Sequence, residues 1–291
     1  SLSLVLFVVN ELTHPNPLLD LSVLKIFDFS ISLIIVSVLT IALMGGSYVL
    51  PLFLQNIRGY TPMETGLIML PSALVMGALM PLSGGLFDKI GAKPIVIPGL
   101  IILAAASFEL AMVINMNSSK EWIIIVSCIR AVGLGIAMMP ISTVGMNAIK
   151  KEMIPKASAL NNTIRQIASS LGVTIITVII QSQTSYNYSK LAGQITIYNK
   201  TANDTIGLLT KLYMSEGLPQ STAKATALSK LTAMIQGQAS IDAMAYSIYV
   251  TGAIVIVATV LTLFMSNKKK SPKKDKEGQK NGIDGGAVVA R

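Results

Sequence analysis

Residues 84–93 read Gly84-Gly85-Leu86-Phe87-Asp88-Lys89-Ile90-Gly91-Ala92-Lys93. The stretch is a charged turn between two apolar runs, about 66–87 before it and about 95–114 after it. Runs of roughly 18 or more apolar residues read as membrane helices. A turn this tight therefore joins two spans that cross in opposite directions. Gly85 offers a place for close helix approach, Gly91 suits a sharp turn, and Asp88 suits a helix cap or a pair with a nearby cation.

Outward from this turn the pattern repeats. Apolar runs occupy about 29–54, 66–87, 95–114, 122–149, 157–180 and 243–265, six in all. Residues 1–9 are apolar but too short to span, and read as the stump of a helix that begins earlier. Residues 10–28 form a polar loop. A polar segment over 181–240 separates the last two runs. Within it, Ala225, Leu228, Leu231, Ala233 and Ile235 fall near helical spacing, so a short amphipathic helix at 222–235 and a plain loop both fit. Residues 266–291 make a basic tail whose composition predicts disorder. Trp122 suits an interfacial anchor.

Composition agrees with a membrane protein. Of 291 residues, 52% are hydrophobic and 13% charged, against about 25% charged in soluble domains. Mean hydropathy is +0.64. The net charge of +9 invites a nucleic-acid reading. Much of the excess, however, lies between Lys268 and Lys280, directly after a span, which fits positive-inside topology better. Lys89 and Lys93, then Lys150, Lys151 and Lys156, share that side. The opposite short loops carry only Arg58 and Lys120. This predicts a cytoplasmic C-terminus and an outer location for 181–240. One cysteine, Cys128, and one histidine, His14, leave no intrachain disulfide, zinc set or hydrolase triad, so no catalytic residue or enzyme activity is read.

Three motifs carry a family resemblance. Residues 84–93 resemble the G-x-L-x-D-[RK]-x-G-[RA]-[RK] loop of the major facilitator superfamily. Arg130-Ala131-Val132-Gly133-Leu134-Gly135, followed by Met138-Met139-Pro140, is similar to its R-x-x-x-G-x-G element. Val132 stands where the family more often has glutamine, which weakens a proton-relay role for Arg130. Residues 157–172, with Asn161, Asn162, Arg165 and Gln166, look like the penultimate helix of the fourteen-span drug:proton antiporters of the EmrB/QacA type. Leu50–Gln55, Gly66–Pro71 and Pro15–Asp20 resemble the same branch.

The resemblance implies an all-α membrane protein: the six-span C-terminal half of such a bundle over 29–265, plus the stump. It implies Gly85, Asp88, Lys89, Gly91 and Lys93 as a conformational-switch loop. It implies proton-driven export of drugs or other amphipathic toxic compounds from the cell membrane, with no cofactor besides the proton gradient. The expected partners are those small substrates, the lipid bilayer and an N-terminal half, with no nucleic acid. Import or export of another small solute, and a membrane protein that does not transport, remain as alternatives.

Two charges fall inside spans. Glu109 lies about 21 Å from one face and Arg130 about 12 Å from the other of a core about 30 Å thick. Their matched depths predict an ion pair; a place on the substrate or proton path is a second reading, and snorkelling to an interface, bonding to backbone carbonyls or a misplaced span boundary are the others. Asn162, Arg165, Gln166, Met138 and Met139 are candidate cavity contacts. For Arg165 an interfacial anchor fits as well, and for the methionines ordinary packing does.

Overall fold

The structure, a computed structural model, describes residues 21–193 and 200–264. The stump at 1–9 and the tail at 266–291 lie outside the described residues. Seven α-helices are described: α1 Phe27–Asn56, α2 Pro62–Ile90, α3 Lys93–Val113, α4 Lys120–Asn147, α5 Ile154–Gly193, α6 Lys200–Ser215 and α7 Gln220–Thr262. Six of them, all but α6, are long and apolar enough to cross a membrane. Among the described residues there is no strand.

Local chemistry marks the helix starts. Thr61 caps α2: its hydroxyl accepts from the Glu64 N–H at 3.3 Å, and its own N–H donates to Glu64 Oε2 at 2.8 Å. Pro62 opens the first turn, where its missing N–H costs nothing. Ser119 caps α4 by accepting from the Trp122 N–H at 3.2 Å. Gly91, with φ +90°, makes the turn from α2 into α3 in a conformation that side-chain-bearing residues rarely adopt.

The six-span frame agrees with the reading of the sequence, but the ends of the helices do not. The stretch 181–240, read as an outer loop, is largely helical. The fifth apolar run ends near Ile180, yet α5 continues to Gly193. The last run begins near Ala243, yet α7 begins at Gln220. At 1.5 Å per residue these helices measure about 60 Å and 65 Å, twice a hydrocarbon core of about 30 Å. Hydropathy marks where a helix sits in lipid, not where it stops. Beyond the bilayer, Gln, Ser, Lys and Ala keep helical geometry at little cost.

The packing of that extension also differs from the predicted amphipathic face. Ala225, Leu228 and Ala233 are exposed, and Leu231 and Ile235 half-buried. Ala223 and Ala227 are instead the fully buried positions. Over this extension the buried residues of α7 are small ones, not large ones. Nor is 10–28 wholly a loop: Leu21–Lys25 forms a 3-10 turn, with Val23 fully buried against the bundle, and α1 starts at Phe27.

Within the bundle α1 packs against α4, α5 and α7, while α4 also packs against α2 and α3. Ile35, Leu39, Leu100, Leu134, Ile141 and Val255 form one core. Phe53, Ile68, Leu110, Ile123, Ile176 and Ile248 form a second towards the other end. Lipid offers helices no hydrophobic drive to associate, so close contact through small residues matters more. The α3–α4 seam shows this. A Cβ on Gly133 would lie 2.6 Å from the Leu103 nitrogen and 2.7 Å from the Gly99 carbonyl oxygen.

Candidate functional site

The helices divide sharply by burial. In the most apolar 18 residues of each helix, 56% are buried in α1 and α3, but only 22% in α5 and 11% in α2. For α2 and α5, most of the apolar length faces away from the rest of the bundle.

The outward face of α5 carries polar groups in register. Asn162, Gln166, Ser170 and Thr174 recur every four residues and are all exposed, so they line one stripe of the helix. The Thr174 hydroxyl donates to the Ser170 carbonyl at 2.9 Å. Beside this stripe runs an apolar one, with Ile167, Leu171 and Ile175 exposed. Unsatisfied amides are costly in hydrocarbon. The polar stripe therefore belongs against water, a polar solute or another helix. Arg165 is half-buried on its flank. The sequence reading singled out Asn162 and Gln166 but missed Ser170 and Thr174. Their four-residue spacing was the available signal.

The two methionine candidates separate. Met138 is 7% exposed and belongs to the core with Leu134 and Ala137, so it is a packing residue here. Met139, the next residue along the helix, is exposed.

The turn at 84–93 is anchored by Phe87 and Ala92, both buried in the core, and by Lys93. Lys93 Nζ donates to the Leu263 carbonyl at 2.8 Å, so a cation meets the carbonyl end of α7, where the helix dipole favours it. Lys89 is exposed. Two expectations for this turn need correction. Gly85 is not a contact point between described helices: a Cβ there would meet nothing within 4 Å, because the residue lies on the outward side of α2. Asp88 does not cap α3. It sits exposed in the last turn of α2, and the N-cap of α3, Ala92, has no side-chain cap bond. At the opposite end, Arg58 Nη1 donates to the Met116 carbonyl across the α3–α4 turn.

The predicted Glu109–Arg130 pair is also overturned. Glu109 is exposed, whereas Arg130 is 9% exposed. Arg130 Nη2 instead donates to the Ala42 carbonyl of α1 at 3.0 Å. Depth alone does not bring side chains together; direction around the helix matters equally. Leu103, which Gly133 touches, is six residues before Glu109. At about 100° per residue that turns Glu109 about 120° away from the α4 side.

The sequence behind most of this bundle has a family counterpart. Residues 4–173 match the Major Facilitator Superfamily. The chain belongs to the Major Facilitator Superfamily. It is thus a multi-pass membrane protein of a transporter family, not an enzyme. Curated relatives agree. The uncharacterized MFS-type transporter YhcA of Bacillus subtilis (strain 168) is 37% identical over 194 residues, 67% of this chain and 36% of that protein. The lincomycin resistance protein LmrB of Listeria monocytogenes is 33% identical over 186 residues, 64% of this chain and 39% of that protein. The colistin resistance protein EmrB of Acinetobacter baumannii is 27% identical over 266 residues, 91% of this chain and 51% of that protein. The chain thus spans about a third to a half of the length of these relatives.

Proposed function

We propose that this chain forms the C-terminal six-span half of a plasma-membrane efflux transporter that exports drugs or other amphipathic toxic compounds in exchange for protons. The observation that carries the transport reading is the Asn162–Gln166–Ser170–Thr174 stripe, a polar line on the outward face of a membrane-length helix. A second half-bundle set against the exposed faces of α2 and α5 would enclose a path lined on one side by that stripe. Relatives named for lincomycin and colistin resistance support the cargo class. Proton coupling rests on the antiporter resemblance, and no cofactor enters the scheme.

In this reading the Lys93 end of the bundle and the C-terminus face the cytoplasm, because lysines concentrate in the short loops of that side. The helical extension formed by the end of α5, by α6 and by the start of α7 then projects outside.

The test is export from cells that produce this chain together with an N-terminal half-bundle from the same family. A fluorescent lipophilic cation should be expelled, and an uncoupler should abolish its export. Export that survives collapse of the proton gradient but fails without sodium would overturn the proton assignment. A lack of export for every amphipathic probe, alongside movement of a hydrophilic solute, would overturn the cargo.

A further inference from the structure

Arg130 is buried in the bundle, and the only hydrogen bond described for it is to the Ala42 carbonyl at 3.0 Å. Its Nε is fully buried with no hydrogen-bond partner among the described residues. Burying a guanidinium is costly, so its location calls for explanation.

The answer lies in α1. A Cβ at Gly46 would overlap the Arg130 guanidinium, and one at Gly45 would overlap the Thr251 side chain of α7. Adjacent glycines thus admit two different helices, with the guanidinium occupying the Gly46 notch. The same part of α1 has a weak hydrogen-bond ladder. The Ala42 carbonyl, which in an α-helix accepts from the Gly46 N–H, also accepts from Arg130. Gly45 and Gly46 lack side chains to restrict the backbone. Pro51 has no N–H to offer the Ser47 carbonyl. Paired glycines and prolines are recognised sites of helix bending.

We infer that residues 42–51 are a hinge in α1 and that Arg130 is its positioning residue, holding the helix to α4 across the weak segment. With the guanidinium in the notch, α1 is fixed to α4 through Ala42. Without it, the part of α1 beyond Gly46 is held by the packing of Val49, Phe53 and Leu54, and bends more readily at the glycines. Because α1 packs against α4, α5 and α7, such a bend would shift the polar stripe of α5 relative to the α3–α4 seam. This inference depends on neither the cargo nor the coupling ion, so it stands or falls separately from the export reading.

Hydrogen–deuterium exchange on the chain in lipid nanodiscs tests it. The variants are Arg130→Met, which keeps length but removes charge and donors; Gly46→Ala, which fills the notch; and Arg130→Lys, which keeps the charge on a slimmer head. Exchange in peptides covering 42–51 should rise about tenfold in Arg130→Met, the scale of one lost charge-assisted hydrogen bond, and by a smaller factor in Gly46→Ala, where the alanine also stiffens the helix. Arg130→Lys should restore most of the protection. Peptides covering 95–104 and 133–141 should remain unchanged, and the Arg130→Met/Gly46→Ala double variant should exchange no faster than Arg130→Met alone. Unchanged exchange at 42–51 would overturn the hinge. A uniform rise across α1, α3 and α4 would also overturn it, because it would make Arg130 an ordinary packing residue. If Arg130→Met does not fold, Arg130→Lys and Gly46→Ala decide the matter by the same criteria.

Discussion

The α3–α4 seam and the outward face of α5 are both built from membrane-length helices, yet they show opposite chemistry. In the seam, glycine meets backbone: Gly133 lies against Leu103 and Gly99, with no room for a methyl group. On α5, Asn162, Gln166, Ser170 and Thr174 project away from the bundle. The seam is complementary within the chain, so its surfaces are already matched. The α5 face is left exposed by the described residues. A helix bundle in lipid gains little from hiding apolar surface. It is the placing of small and polar residues, not hydropathy, that separates a surface for folding from a surface for function.

Substitutions can break this contrast from either side. The largest effect belongs to the seam. Gly133→Leu must displace the α3 backbone itself, so the chain should lose about 3 kcal/mol or more. Thermal unfolding in detergent, followed by a thiol-reactive dye at Cys128, the only cysteine, would show it. A melting point close to the unsubstituted protein's would mean that the seam is looser than described. On α5 the expectation reverses. Asn162→Leu/Gln166→Leu should change stability by less than about 0.5 kcal/mol, as an exposed substitution does, while transport by the assembled protein drops at least about tenfold, because a lost polar contact to a solute costs on the order of 1–3 kcal/mol. A large fall in melting temperature would make the stripe a folding element. The smallest effect is at the ends. Lys93→Met removes the cation from the Leu263 carbonyl and should cost about 0.5–1 kcal/mol, read as faster amide exchange in the last turns of α7.

Much of this architecture is legible in the residues. The apolar runs mark six spans because lipid demands continuous hydrophobic length, and Gly91 announces its turn because few other residues accept its backbone angle. Three features were less legible. The polar ends of α5 and α7 carry no hydropathy signal, although Ala223 and Ala227 provide the small-residue seam that packs them. The Glu109–Arg130 expectation used depth and left out the direction of each side chain around its helix. The notch for Arg130 is made by Gly46, 84 residues earlier in the chain, a pairing that only the packed bundle reveals. By contrast, the polar stripe of α5 was half visible: Asn162 and Gln166 stood out, and a four-residue step leads from them to Ser170 and Thr174.

The proposed export path requires the polar stripe of α5 to face water. Single cysteines at 162, 166, 170 and 174, and at 167, 171 and 175, in a Cys128→Ser background test it most directly. Each is exposed to a charged, membrane-impermeant thiol reagent in the assembled transporter. The first set should react rapidly and be protected by an amphipathic substrate, while the second should remain unreacted in lipid. Equal reaction of both sets, or reaction confined to 167, 171 and 175, would contradict the account.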